Sequence, residues 1–465
     1  MRAAHGTAVA ELHREGVTSS AHLAALEPSL TYVPSGNGEE SADRLAQCAP
    51  SLREFWAARR ELATIHRYAQ ANRAGPWAVL GAVLARTATA VPPTVQLPGR
   101  ASLNLFAALV GPPGGGKDTA RRTAAGVLPV MVETAGVGSG EGIAHLFAER
   151  SRNGHLERTL NAVLLDIGEI ETLAAVAGRN SATILPELRK AYMGEPLGFQ
   201  YADSRRRLPI PAHTYRLALT AGVQPRRATV LLQDADGGTP QRFIWLPVTD
   251  PSAPVSQPDM PRPLRWAGLP WGHLGDPTVM PVCERARREI DAAALARLRG
   301  GADPATGHDL LARLKVAAAL ALLRELTAAP RDCPDVTEDD WALAGTVMDV
   351  SIGQREAVIT AVAAVAEQAN EARGRDEARR AQIVAEGTEE RGIRRACQVL
   401  MRRLDAARGE PVGAGDLRKA LRSDQRGWFG EAAARLIATG QAETLSTERD
   451  ESGHGGKGVQ YRASR

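Results

Sequence analysis

The chain has 465 residues, 44% hydrophobic and 24% charged, a balance typical of folded globular domains and long enough for two to four of them. No run reaches the roughly 18 apolar residues of a membrane span. The first residues lack a secretion signal's apolar core, and Cys48, Cys283, Cys333 and Cys397 are too scattered for a zinc site, so the sequence predicts a cytoplasmic chain with reduced thiols and no membrane partner.

Charge is unevenly spread. Residues 391–465 carry 15 basic and 9 acidic side chains, and the other 390 residues carry 42 and 44. The basic end reads either as a polyanion-binding segment or as a solvated surface.

In chain order, residues 1–50, which include Pro34-Ser-Gly-Asn-Gly-Glu-Glu40, predict a flexible arm. Residues 51–95 predict an N-terminal helical segment: Leu52, Phe55, Trp56, Leu62, Ile65 and Tyr68 recur at helical spacing, and Pro76 opens a second helix. Between 96 and 282 the apolar runs 103–110, 162–165, 215–219 and 243–246 alternate with helical stretches, the pattern of an α/β core with a mainly parallel sheet. Eight prolines make 248–282 a connector. Residues 283–366 predict a helical domain, 367–390 a charged linker helix, and 391–465 a small basic domain.

The strand at 103–110 runs into Gly111-Pro-Pro-Gly114-Gly115-Gly116-Lys117, and a helix can start directly after it. Glycines let backbone N–H groups turn toward phosphates, the helix adds its positive end, and Lys117 brings a charge to the β- and γ-phosphates. This order marks the phosphate-binding loop of a P-loop nucleoside triphosphatase using ATP and Mg²⁺. The hydroxyl residue normally following the lysine is replaced by Asp118, with Thr119 next. Asp118 either holds the metal through its carboxylate or weakens binding by its charge.

A second apolar strand ends in acids: Ala162-Val-Leu-Leu-Asp166-Ile-Gly168-Glu169. Such a strand end suits a metal-linked Asp and a water-activating Glu. Two registers are open: Asp166 as metal ligand with Glu169 as base, or Gly168-Glu169 in the place of an Asp-Glu pair. Glu169 is the base in both.

These stretches, with others in the same order, resemble hexameric AAA+ helicases of the minichromosome maintenance type. They also resemble the primase–helicase ATPase modules of plasmids, prophages and other mobile elements. Gly138-Ser-Gly-Glu-Gly-Ile-Ala-His145 is similar to the segment after the phosphate loop. Ala221-Gly-Val-Gln224-Pro225 is similar to the sensor strand, with Gln224 in place of Asn, and Gly238-Thr-Pro-Gln-Arg242-Phe243 to the arginine-finger segment. Leu310-Leu-Ala-Arg313-Leu-Lys resembles the helical lid, whose arginine senses nucleotide. The resemblance implies an α/β P-loop NTPase core of AAA+ type with a helical lid over 283–366, in a homo-oligomer, a hexamer, with Arg242 acting on the neighbour's γ-phosphate. A priming activity would need a separate primase.

Residues 195–210 predict a hairpin whose second strand begins with Arg205, Arg206 and Arg207, where the resemblance implies a pore hairpin tracking single-stranded DNA; a basic surface loop is the other reading. Residues 391–465 have a winged-helix pattern: helices over 392–407, 414–421 and 430–439, then two strands around a glycine-rich wing. Arg418, Lys419, Arg422 and Arg426 lie on or just before the expected recognition helix and Lys457 near the wing, a set suited to duplex DNA, although winged helices also dock proteins. The expectation is an ATP-dependent ring-forming DNA helicase or translocase of a plasmid, phage or integrative element. An ATP-switched initiator or loader without unwinding, and a regulatory ATPase with a protein-docking tail, are the alternatives.

Overall fold

The computed structural model describes residues 49–465 apart from 179–182, 202, 204–206, 235–236, 269–276, 302–307, 329–332, 447–457 and 465. The arm predicted over 1–50 lies outside the described residues but for its last two, which begin a helix. Three helices come first: α1 (Ala49–Ala57), α2 (Arg60–Ala71) and α3 (Pro76–Thr89). Then follow β1 (Val95–Leu97), β2 (Ala101–Ser102), β3 (Phe106–Val110), α4 (Lys117–Val127), β4 (Thr134–Ala135) and α5 (Gly140–His145). Next are β5 (Ala148–Arg150), β6 (Leu156–Arg158), β7 (Ala162–Ile167), α6 (Ile170–Ala177), α7 (Ile184–Met193), β8 (Arg216–Val223), α8 (Thr229–Leu232) and β9 (Phe243–Pro247). The chain continues through β10 (Thr278–Val279), α9 (Glu284–Leu298), α10 (Asp309–Ala328) and α11 (Glu338–Ala406). It closes with β11 (Val412–Gly413), α12 (Ala414–Ala420), α13 (Phe429–Ala438), β12 (Ala442–Ser446) and β13 (Val459–Ala463).

Among the described residues, five strands form one sheet in the order β4-β7-β8-β3-β9, every neighbouring pair parallel. Covered on both faces, β3 (Phe-Ala-Ala-Leu-Val) and β8 are buried at every position, which explains their near-continuous apolar runs. Alternation divides β3 between two cores: Ala107 and Leu109 pack with α2, α3, α4 and α10, whereas Phe106, Ala108 and Val110 pack with α5, α6 and α7.

The helical segment at 51–95 packs into the same core as the sheet. Every residue of α3 except Arg86 is buried, because the helix lies against the sheet, and apolar side chains all round it find partners. In the expected lid at 283–366, helix α10 belongs to the same core, and its Lys315, 1% exposed, donates to the carbonyls of Asn104 (2.8 Å) and Tyr192 (2.5 Å). The proline-rich connector is tied down as well: Arg73 donates to the carbonyls of Pro254 and Val255, and Leu264 N–H to that of Val127.

The described residues up to Ala364 form one compact unit and those from Val365 another, with α11 continuous from Glu338 to Ala406. The second unit has its own core, Ala396, Leu400, Leu404, Leu417, Leu421, Ala432 and Leu436 among them, and a three-stranded sheet in the order β11-β13-β12.

Candidate nucleotide-binding site

The glycine-rich loop leaves β3 at the carboxyl end of the sheet. Its first N–H, from Gly111, donates to the Val223 carbonyl at 3.0 Å, so the loop begins beside the end of β8. Gly114 (φ 69°) and Gly116 (φ 95°) are left-handed, a conformation that a side chain would strain and that turns the backbone into α4. No side chain caps α4, so its first N–H groups are left to an external anion. Lys117, 7% exposed, folds its amine back onto the carbonyls of Gly111 (3.3 Å) and Pro112 (2.9 Å), holding its charge in the hollow of the loop. Thr119 follows on the first turn, half-buried.

The acids arrive through β7, separated from β3 by β8 alone. Asp166 lies opposite Thr220 in the ladder, and its Oδ1 accepts from Thr220 Oγ1 (2.9 Å) and from Arg121 Nη1 (2.7 Å). The other end of the Arg121 guanidinium pairs with Asp118 Oδ1. A single arginine on α4 thus links the two carboxylates expected to hold metal. Each has an oxygen outside that bridge, and carboxylate oxygens are what Mg²⁺ takes, with phosphate oxygens and water completing its shell. Among the described residues no group of three His, Cys, Asp or Glu is placed to hold a metal ion. Glu169 is exposed at the residue before α6 and caps no backbone group.

Gly222 was not singled out by sequence. A Cβ there would collide with the Gly168 carbonyl oxygen and come within 3.2 Å of Lys117 Cδ, so its absence lets the ends of β7 and β8 and the lysine converge. A glycine inside an otherwise apolar buried strand is the signal that could have found it. Gln224 follows Val223 directly, half-buried at the same edge. Beyond it, Arg227 lies 3.5 Å from Glu171 of α6.

Other expected residues fall elsewhere. Phe243 is level with Phe106 in parallel strands, so Arg242, just before β9, stands at the end of the sheet opposite its own phosphate loop. It is half-buried, donates from Nη1 to the Gly237 carbonyl (2.7 Å), and burial holds its pKa below the ordinary value. Arg313, expected to sense nucleotide, is held by neighbouring helices of its own chain. Its guanidinium donates to Glu289 (3.0 Å) and to the Trp341 carbonyl (3.0 Å) and stacks 4.1 Å from the Trp341 ring centroid. Two residues on, Lys315 binds carbonyls before β3, at the far end of the sheet. Arg313 is held by packing there and is not brought to the loop.

Among the described residues of the expected hairpin at 195–210, Leu197 and Ile210 form an isolated antiparallel bridge. Arg205 and Arg206 lie outside the described residues, and Arg207 donates to the Tyr201 carbonyl (2.5 Å). In the second unit Arg418 and Lys419 are exposed on α12, and Arg422 and Arg426 are exposed in the segment before α13. None of the four is on α13, whose Arg435 pairs with Glu390 (2.7 Å). Lys457 lies outside the described residues.

A parallel α/β sheet with a glycine-rich loop and lysine at the carboxyl end of a central strand is the arrangement of an α/β NTPase-like core. No family model and no curated protein matches the chain. Among solved structures, one described as a "putative ATPase" from Cytophaga hutchinsonii ATCC 33406 is similar at 11% identity and a TM-score of 0.32, over 66% of this chain and 90% of that one. No described helix is long and apolar enough to cross a membrane.

Proposed function

We propose that the chain is an ATP-hydrolysing P-loop protein of AAA+ type that works on DNA as a ring-forming helicase or translocase. The observation that carries the ATPase reading is the convergence of the Gly111–Lys117 loop, Asp166 and Glu169 at one edge of the sheet. In this reading the loop amides and Lys117 hold the phosphates, Asp118 and Asp166 hold Mg²⁺, Glu169 activates water and Gln224 orients it. Arg242, too far from its own loop, serves a neighbour's nucleotide, and a hexamer is the assembly that would join them. DNA binding draws on two basic regions: Arg205–Arg207 for a single strand, and the exposed Arg418, Lys419, Arg422 and Arg426 for duplex. The helix–strand–helix–helix–hairpin order of the second unit supports a winged helix.

The Arg121 bridge between Asp118 and Asp166 favours a second reading, an ATP-switched initiator or loader that hydrolyses slowly and does not unwind. ATP turnover measured with and without DNA, alongside mass in solution and strand displacement on a forked substrate, separates the two. Lys117→Ala should abolish nucleotide binding with an unchanged melting profile, since the amine is a ligand and not a core group; retained ATP affinity in that variant would refute the phosphate site.

A further inference from the structure

We infer that Arg121 is the built-in counter-cation of the phosphate site, neutralising Asp118 and Asp166 when no metal is bound; the inference rests on the nucleotide-binding reading above. Asp118 adds a second carboxylate where a triphosphate brings its own negative charge, an arrangement that by itself repels the ligand. Arg121 answers that charge from the next turn of α4, three residues after Asp118 and four after Lys117, on the same helix face. Nη1 reaches Asp166 at 2.7 Å and Nη2 pairs with Asp118, a two-ended task that suits a planar guanidinium and that an ammonium cannot span.

The Arg121 side chain is 14% exposed against 40% for Asp166 and 74% for Asp118, so the cation lies beneath two carboxylates that open to solvent. With Arg121, the charges of Lys117, Asp118, Arg121 and Asp166 cancel. Without it the other three sum to one negative charge until a divalent cation arrives. Arg121 therefore sets how far nucleotide binding depends on Mg²⁺, and it explains how the loop tolerates an aspartate after its lysine.

The test is the affinity of the full chain for ADP, measured by calorimetry in Mg²⁺ and in EDTA. In Arg121→Gln the ratio of metal-free to Mg²⁺ dissociation constants should rise about tenfold, because metal-free binding weakens while Mg²⁺ supplies the missing positive charge. Adding Asp118→Asn should return the ratio toward wild type, since one uncompensated charge has gone. Arg121→Lys, which keeps the charge but not the span, should fall between, and thermal melts of all variants identify any that fail to fold. If the wild type binds no ADP in either condition, the nucleotide-binding reading falls and this inference with it. If the wild type binds and Arg121→Gln leaves the ratio unchanged, or Asp118→Asn fails to restore it, only the role of Arg121 is overturned.

Discussion

A methyl group at Gly222 has no space between the Gly168 carbonyl and Lys117, so Gly222→Ala must push the end of β7 away from β8 or displace the lysine. Overpacking of this kind costs about 1–3 kcal/mol. The displaced segment leads directly to Glu169, so turnover of ATP should fall more than nucleotide affinity. A urea midpoint and steady-state kinetics unchanged from wild type would show that the strand ends are not so closely fitted. At the far end of the sheet, burial, followed by the charges of Arg242 and Lys315, lowers the His308 pKa from 6.5 to about 4. Between those values the unfolded chain binds the proton and the folded chain does not, so stability rises with pH across this window and is lost as pH falls through it. His308→Gln should flatten the loss by about 1 kcal/mol, allowing for a half-exposed ring, as read from urea midpoints at pH 4.5 and 7.

At the scale of elements, α10 is docked by polar groups as much as by apolar ones, and Arg313 is the clearest case. Arg313→Ala removes bonds to Glu289 and the Trp341 carbonyl as well as the stacking on Trp341. It should lower stability by about 1–3 kcal/mol while leaving nucleotide affinity within about twofold; a large loss of affinity with normal stability would instead mark it as a nucleotide sensor. The sheet was legible in the sequence because buried parallel strands read as apolar runs, and the loop because its glycines and lysine follow one of them directly. Strand β4 left no signal: its Thr134-Ala135 is too short to carry a pattern. Arg216 was also hidden. A charged residue inside an apolar run gives no sign of its partners, yet it is fully buried and donates to the carbonyls of Val91, Pro92 and Val95. Lys315 was hidden in the same way, since nothing in an apolar helix announces the backbone carbonyls that its lysine meets. Helical spacing located α3 and α10 but could not say that both pack into the sheet's own core.

At the scale of the whole molecule, the second unit closes its own apolar cluster and carries exposed arginines and a lysine before α13. Deleting residues 391–465 should leave basal ATP hydrolysis near wild type, weaken duplex DNA binding and reduce its salt dependence, because phosphate contacts release counterions. Measured across a salt series, duplex affinity unaffected by the deletion would move DNA binding to the first unit and leave the tail as a docking module. One consequence of the strand order reaches back to synthesis. Strand β3 is apolar and buried at all five positions, yet both its neighbours, β8 and β9, come later in the chain, β8 ending roughly 110 residues after it. At the roughly 5–20 residues per second of translation, its two edges wait about 5–25 s for a partner. The strand that leads into the phosphate loop is thus, on the ribosome, an unpaired sticky segment, and newly made chains are most open to aggregation and to chaperone capture in that interval.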